Sequence, residues 1–202
     1  MNVGMIFECG PEGADVKVCT YLARRLRPEI VISPVTLTNK PNLIAKCGDA
    51  AAELLNGGSE RVVIVWDLYP AWRERGGRPC RKEDRENIRK SLVEAGVDAA
   101  KVHLVCIQEE LEAWLLADHR ALESLLSRPT RRATVSESRH PERMRNPKAR
   151  MQQIFREHGR VYNDLLDAER IVQRLPELRR LHRRCETFQR FALKVANLGT
   201  LE

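Results

Sequence analysis

The feature that most constrains the fold of this chain is a run of five apolar residues that ends on a carboxylate. With its two charged flanking residues, the segment extends from Arg61 to Asp67 and reads R-V-V-I-V-W-D. A short, unbroken run rich in β-branched residues is typical of a strand that is covered on both faces, as in a parallel sheet. Pro70 follows closely, and proline ends strand pairing because it has no amide proton to donate. The run therefore predicts a central strand with Asp67 at its carboxyl end.

The segments around this strand alternate between strand-like and helix-like patterns. Further strands are predicted at 3–7, 30–38 and 102–107, and Pro34 places the second of them near an edge of the sheet. Helices are predicted at 14–26, 43–55, 82–95 and 112–126. Such alternation predicts an α/β fold, with a Rossmann-like, four-stranded and largely parallel sheet flanked by helices.

The last third of the chain has a different pattern. Residues 128–146 are polar and basic and are interpreted as a loop, whereas residues 147–202 predict a helical extension packed on the same domain as residues 1–127. No apolar run approaches the ~20 residues that span a membrane. No signal peptide is predicted, and the scattered cysteines form no C-x-x-C pair, so we expect a cytoplasmic protein with reduced thiols.

Carboxylates follow three of the predicted strands, at or just after the point where each strand ends. They are Glu8, Asp67 and the group Glu109, Glu110 and Glu112. Because the carboxyl ends of parallel strands share one edge of a sheet, we expect these side chains to converge. Clustered carboxylates repel one another, and a hard divalent cation relieves that repulsion. The alternative, that the acids only cap helices or face solvent, stays open.

Five segments also carry a resemblance to a known family. They are M-I-F-E-C-G-P-E-G-A-D at 5–15, V-I-V-W-D-L-Y at 63–69, I-Q-E-E-L-E-A-W-L-L-A-D at 107–118, N-P-K-A-R at 146–150 and C-E-T-F-Q-R-F at 185–191. The first two resemble the TOPRIM motifs, in which one apolar strand ends in Glu and another in Asp-x-Asp. The other three resemble motifs of a bacterial TOPRIM-like family related to the overcoming-lysogenization-defect nucleases.

The resemblance implies a TOPRIM-type fold and kinship with primases, topoisomerases and nucleases. It further implies a gene often found near phage-defence or mobile-element genes. In TOPRIM enzymes the corresponding acids bind Mg²⁺. Carried over to this chain, the resemblance implies a site for Mg²⁺ or Mn²⁺ at Glu8 and Asp67, with Glu112 as a third, family-specific acid.

The sequence departs from the TOPRIM pattern at one position and is ambiguous at another. Tyr69 replaces the second acid of Asp-x-Asp, and a phenol with an ordinary pKa of about 10 is a poor ligand for Mg²⁺ near neutral pH. Glu12, before Gly13, competes with Glu8 as the first-motif acid; we prefer Glu8 because it ends the apolar run. Asp15 is interpreted as an acid at the start of a helix rather than as a ligand.

The positive charge of the chain suggests a polyanionic partner, since the formal net charge is +7. The candidate nucleic-acid contacts are Trp72, Arg73, Arg75, Arg78, Arg131 and Arg132. Lys148, in a motif of the resembled family, either neutralises charge on a phosphate or occupies the first turn of a helix. For the arginine-rich loop around Trp72, a solvated charged surface is an equally good interpretation.

Three functions remain open from the sequence. The first is a Mg²⁺-dependent nuclease or phosphodiesterase in which Glu8, Asp67 and Glu112 hold the metal and Lys148 or arginines bind phosphate. The second is a non-catalytic adaptor for nucleic acid or protein, with a degenerate metal site, which Tyr69 favours. The third is a nucleotide-binding regulator, although the chain has neither G-x-G-x-x-G nor a Walker loop. A partner protein encoded nearby is also conceivable from the resemblance.

Overall fold

The computed structural model describes residues 1–69 and 79–198. The strands, in chain order, are β1 (Asn2–Phe7), β2 (Val31–Thr36), β3 (Arg61–Asp67) and β4 (Val102–Ile107). The helices are α1 (Ala14–Leu26), α2 (Lys40–Asn56), α3 (Arg81–Glu94), α4 (Glu112–Leu115), α5 (His119–Leu126), α6 (Pro147–Glu157), α7 (Asp164–Gln173), α8 (Arg179–Arg184) and α9 (Glu186–Ala196). Short 3-10 turns lie at Ala99–Lys101 and Pro141–Arg143.

The four strands form one parallel sheet in the order β2-β1-β3-β4. The predicted α/β fold, a Rossmann-like parallel sheet flanked by helices, is thereby confirmed. The prediction that the strand with Pro34 lies at an edge is also confirmed, because β2 is the outer strand next to β1. Strand β2 pairs with one side of β1, and β3 pairs with the other side. The direction in which successive strands are added to the sheet therefore reverses between β1 and β3.

The sheet is covered on both faces, as the apolar run in β3 predicts. Val62 to Trp66 are almost wholly buried, and alternate residues belong to different apolar clusters. Ile64 and Trp66 pack in the cluster formed with α2 and α3. Val63 and Val65 pack in the larger cluster formed with α1 and the helices from α4 onward. Burial on both faces is what a β-branched run without polar alternation requires.

The C-terminal helices complete the larger apolar cluster. Trp114 of α4 packs against two phenylalanines of α9, with centroid distances of 5.3 Å to Phe188 and 5.5 Å to Phe191. Helix α7 lies against α1, and α9 lies against β4. The buried positions of Trp66 and Trp114 agree with the apolar runs in which they occur.

The prediction of one helix over 112–126 is wrong, because the chain bends between α4 and α5. Asp118 lies fully buried at the bend, where its carboxylate accepts a hydrogen bond from the amide of Arg120 and so caps α5. An aspartate at a helix N-cap starts a new helix within a segment that is rich in apolar residues. Helix α8 was not predicted, since Leu181 is its one buried residue among arginines and a histidine.

None of the helices in the part of the chain that the structure describes is both long and apolar enough to cross a membrane.

We predict that Gly48→Ala destabilises the protein. Alanine within a helix is normally favoured over glycine by about 1 kcal/mol. At Gly48, however, a Cβ atom would collide with the backbone of Ser91 on α3, whose hydroxyl accepts a hydrogen bond from the Gly48 amide at 3.0 Å. Overpacking of this kind costs about 1–3 kcal/mol.

Urea unfolding measures this effect as a loss in the free energy of unfolding. Gly10→Ala is the control, because a Cβ atom there meets nothing within 4 Å. A stabilised Gly48→Ala variant would show that α2 and α3 can separate freely.

Candidate functional site

The candidate site lies where the strand order reverses, at the carboxyl ends of β1 and β3. Glu8 follows the last residue of β1, and Asp67 is the last residue of β3. The two strands are directly paired, with Phe7 opposite Val65. In open α/β sheets, ligands bind outside the carboxyl ends of the strands at this switch point, because the connecting helices leave there in opposite directions.

Glu8 and Asp67 are in direct contact. The backbone amide of Asp67 donates a hydrogen bond to Oε1 of Glu8 at 3.0 Å. The second oxygens of both side chains, Glu8 Oε2 and Asp67 Oδ1, are buried without a hydrogen-bond partner among the described residues. A buried polar atom without a partner is costly, so these two oxygens are the atoms that a proton or a cation would satisfy.

Glu112 joins the pair from the start of α4. The amide of Leu111 donates to Oδ2 of Asp67 at 3.3 Å, which brings the segment before α4 against the end of β3. Glu112 is only 5% exposed, and its Oε1 accepts a hydrogen bond from the hydroxyl of Tyr162 at 3.2 Å. The three acids that the resemblance selected thus lie in one neighbourhood.

Asp15 is a fourth acid of this site, although the sequence interpretation gave it only a local role. It does lie in the first turn of α1, as that interpretation expects. Its charge is also the largest Coulombic contribution that raises the pKa of Asp67. It raises the pKa of Glu8 and of Glu112 as well, so it faces the same space.

Burial dominates the electrostatics of the four carboxyl groups. Desolvation, aided by repulsion from the neighbouring acids, raises the pKa of Glu8 to about 8 and that of Glu112 to about 7. The pKa of Asp67 is raised well above its ordinary value by desolvation and then by Asp15, Glu8 and Glu112. Desolvation also raises the pKa of Asp15. The site therefore holds protons near neutral pH unless another positive charge enters.

Two lysines border the acids from opposite sides. Lys40, at the start of α2, lowers the pKa of Glu8 and donates a hydrogen bond from Nζ to the carbonyl of Leu68 at 2.8 Å. Lys148, in the first turn of α6, lowers the pKa of Glu112 and forms an ion pair with Asp164 at 2.5 Å. Two lysines cannot balance four carboxylates, so the acids either keep protons or need a further cation.

A surface cavity of about 270 Å³ is lined in part by residues that follow β3 and β4, although the four acids themselves are not among the described lining residues. Tyr69, two residues after Asp67, lines it together with Glu109, Glu110, Arg145 and Asn146. Glu109 and Asn146 have positive φ angles of 63° and 58°, a conformation that non-glycine residues rarely adopt. Strained backbone of this kind concentrates at functional sites. We infer that a ligand approaches the acids through this cavity.

The acids do not form a complete cage for a metal. Within residues 1–69 and 79–198, no three His, Cys, Asp or Glu side chains are arranged to hold an ion. Mg²⁺ commonly takes only one or two carboxylates and keeps several water molecules. The two unsatisfied oxygens of Glu8 and Asp67 fit that pattern, and a third direct ligand would require a side chain to move.

The other acids singled out from the sequence have partners of their own. Glu12 is exposed and pairs with Lys17 at 3.1 Å, which leaves Glu8 as the acid at the sheet edge. Glu110 accepts a hydrogen bond from the amide of Lys148 at 3.1 Å and so caps α6. Glu109 accepts one from the side-chain amide of Gln108 at 3.3 Å.

The predicted nucleic-acid residues that the structure describes, Arg131 and Arg132, are not part of this site. Arg131 and Arg132 are exposed on the segment between α5 and α6, where the backbone of Arg131 pairs with Arg128. Trp72, Arg73, Arg75 and Arg78 lie outside the described residues.

Sequence reasoning missed Asp15, Lys40 and Tyr162 as members of the site. Asp15 already has a local explanation as a helix-start acid, whereas Lys40 lies before the helix predicted at 43–55 and has no predicted role, although the helix begins at Lys40. The signal that could have found them is position, because both helices begin at the carboxyl edge of the sheet. Tyr162 lies between α6 and α7, and nothing in its sequence neighbourhood points to Glu112.

We predict that the protein loses stability as the pH rises from about 4.5 to about 8 in the presence of EDTA. Glu8 and Glu112 keep their protons to a higher pH when folded, with pKa values of about 8 and about 7 against an ordinary 4.5. The folded state therefore binds more protons, and the free energy of unfolding falls by up to about 1.4 kcal/mol per pH unit for each group.

Urea unfolding at several pH values measures this slope. Glu8→Gln should flatten it, whereas the exposed, ion-paired Glu12→Gln should leave it unchanged. A wild-type protein whose stability rises over this interval would mean that the carboxylates are ionised at low pH, contrary to the burial described above.

Comparison with known proteins gives a family for most of the chain. Residues 13–196 match the family model described as "Domain of unknown function (DUF4276)". No curated protein and no solved structure matches the chain significantly. The matched range includes Asp15, Asp67, Glu112 and Lys148, and it begins after Glu8. Since the match extends over most of the sequence, the chain belongs to the DUF4276 family.

Proposed function

We propose that this protein is a divalent-metal-dependent phosphodiesterase that cleaves nucleic acid, as the TOPRIM resemblance implies. The main support is the pair of buried oxygens, Glu8 Oε2 and Asp67 Oδ1, that lack a partner among the described residues at the switch point of a parallel sheet. A role in phage defence or mobile-element biology belongs to the same proposal, as does a cytoplasmic location, where the six free thiols would stay reduced.

Glu8 and Asp67 are the residues that would hold Mg²⁺ or Mn²⁺, with Glu112 as the third acid. When bound, the cation would polarise phosphoryl oxygens and make a water molecule more acidic. It would also relieve the repulsion among the four buried carboxyls, because it supplies the positive charge that they lack.

The remaining groups have roles that follow from their surroundings. Burial raises the pKa of Glu112 to about 7 in the absence of a cation, and the hydroxyl of Tyr162 donates to its Oε1 and fixes its orientation. Beside the cation rather than as a direct ligand, Glu112 can accept or release a proton near neutral pH. Lys148 lies beside Glu112 and is held by Asp164, which suits it to a fixed positive charge next to a phosphate. Its ion pair with Asp164 makes it a positioning charge rather than a free proton donor.

A non-catalytic adaptor is the second candidate, and two observations favour it. Tyr69 replaces an acid and is 41% exposed beside the site. In addition, no group of three ligating side chains is preformed in the described part of the chain. An adaptor of this kind would bind nucleic acid or a partner protein without depending on Glu8 or Asp67.

We expect Mg²⁺- or Mn²⁺-dependent cleavage of at least one substrate among single- and double-stranded DNA and RNA. Glu8→Gln and Asp67→Asn should each reduce the rate by about 100-fold or more, since even the loss of an outer partner of a metal ligand costs about 10–100-fold. Glu12→Gln is the matched control and should retain full activity.

Titration calorimetry with Mn²⁺ separates the two candidates. Metal binding that Glu8→Gln abolishes supports the enzyme, whereas nucleic-acid binding without cleavage or metal binding supports the adaptor. Absence of cleavage on all four substrates, with no metal binding, would overturn the enzymatic proposal.

We also predict that Tyr69→Asp strengthens the metal site. Adding a carboxylate two residues after Asp67 restores the Asp-x-Asp pattern, and metal affinity rises with the number of charged ligands. The Mg²⁺ dissociation constant should fall by roughly tenfold, which corresponds to about 1.4 kcal/mol. Tyr69→Asn is the control, because it removes the ring without adding charge. Equal affinities in the two variants would exclude position 69 from the site.

A further inference from the structure

A second and larger cavity lies next to the acidic site, and its walls are rich in arginine. Its volume is about 450 Å³, within the usual range for a small-ligand site. It lies among the start of α3, the segment after β4, the turn at Pro141–Arg143 and helices α8 and α9. The lining residues that matter below are Arg81, Gln108, Glu109, Glu142, Arg143 and Arg183.

The acids of this cavity are already occupied by other groups. The carboxylate of Glu142 accepts hydrogen bonds from the amides of Glu186 and Thr187, so it caps the N-terminus of α9. Glu186 in turn pairs with Arg190. Arg184, a fourth arginine of the wall, is paired with Glu137.

Three arginines remain with unused donors. Among the described residues, the side chains of Arg143 and Arg183 form no ion pair or hydrogen bond, and both are exposed. Arg81 donates from Nη2 to the side-chain oxygen of Gln108. Its Nε is buried and has no hydrogen-bond partner in the described chain, although the same guanidinium also interacts with the thiol of Cys106, a weak acceptor. A buried, charged donor without an acceptor is unfavourable, and an oxyanion in the cavity would satisfy it.

Further positive charge lies behind Arg81 along α3. Arg81, Arg85 and Arg89 follow a four-residue spacing and therefore share one side of the helix. Burial and then repulsion from Arg89, Arg190 and Arg81 lower the pKa of Arg85, so these guanidinium groups are close together. Crowded like charges favour the entry of an anion.

The basic cavity and the acidic site share a wall. Glu109 lines both this cavity and the smaller one beside Tyr69. The Tyr69 amide bonds to the Glu109 carbonyl at 2.9 Å, which ties the end of β3 to the same segment. The basic cavity is thus connected through Glu109 to the segment that follows Asp67, where the proposed metal site would hold another phosphate.

We propose that the arginine cavity binds a second phosphate group of the nucleic-acid substrate, held by Arg81, Arg143 and Arg183. The planar guanidinium group matches phosphate because it can donate two parallel hydrogen bonds. Because it names a further part of the substrate, this assignment rests on the proposed function. The phosphate is either internal to the strand or a 5′-terminal monoester, and the experiment separates these two sources.

The test measures binding of short single-stranded DNA to the full chain in EDTA by fluorescence anisotropy. It compares 5′-phosphorylated with 5′-hydroxyl oligonucleotides. Arg81→Gln and Arg183→Gln should each weaken binding by roughly tenfold, as expected for the loss of a charge-assisted hydrogen bond. Each should also lower the slope of log K against log salt by about one. Arg179→Gln, an exposed arginine of α8 outside the cavity, is the matched control.

A preference for the 5′-phosphorylated strand that Arg183→Gln removes assigns the cavity to a terminal phosphate. Equal binding of both strands, weakened by the same variants, assigns it to an internal phosphate. If Arg81→Gln and Arg183→Gln behave like Arg179→Gln, the cavity is not a phosphate site. Since Arg183 is exposed, its variant keeps the test valid even if Arg81→Gln disturbs the fold.

The experiment is independent of the metal site. Binding is measured in EDTA, so it does not depend on a cation at Glu8 and Asp67. Failure of metal-dependent cleavage with retained, arginine-dependent binding would overturn the proposed function alone. Cleavage with binding that is insensitive to Arg81 and Arg183 would overturn this inference alone.

Discussion

The burial of carboxyl groups between the carboxyl ends of β1 and β3 is the constraint on which the rest of the site depends. Asp67 has to emerge there because its strand is covered on both faces, and Glu8 has to meet it because the two strands are paired in parallel. Their contact through the Asp67 amide uses one oxygen of Glu8 and leaves the other unsatisfied. Folding thus buries acidic groups without enough positive charge nearby, and protons or a cation have to compensate them.

The end of β3 is also fixed from behind, by a buried polar cluster on the α2–α3 side of the sheet. Lys40 lies 3.8 Å from Asp84, and both are almost fully buried. Trp66 donates from its indole nitrogen to Asp84 at 3.1 Å, and Lys40 donates to the carbonyl of Leu68. Lys40 therefore connects the scaffold to the site, because it compensates Asp84 and Glu8 together. A buried charge shared in this way orients the residues on either side of Asp67 more than it adds stability.

The sequence predicts what depends on periodicity and strand polarity. The apolar run of β3, the edge position of β2 and the joint location of Glu8, Asp67 and Glu112 all follow from short patterns and from the rule that parallel strands end on one side. Prediction from the sequence fails where a local role already explains the presence of a residue. Asp15 looks like a helix-start acid, and Asp118 is hidden within an apolar segment that it interrupts. Tyr162 reaches Glu112 across fifty positions of sequence, a contact that only the packing of α6 and α7 can create.

The distribution of basic residues follows the same principle and bears on function. The sequence drew attention to arginines that are neighbours in the chain, such as Arg131 and Arg132, whereas the fold gathers Arg81, Arg143 and Arg183 from three separate segments. A phosphate approaching the four acids would be repelled wherever they are ionised, because two lysines do not balance four carboxylates. An adjacent basic cavity would offset this repulsion, because it would hold one phosphate of a polyanion. A cation at the acids would then allow a second phosphate to approach them. The acidic and basic surfaces are thus complementary to a chain of phosphates, and neither surface alone would favour its binding.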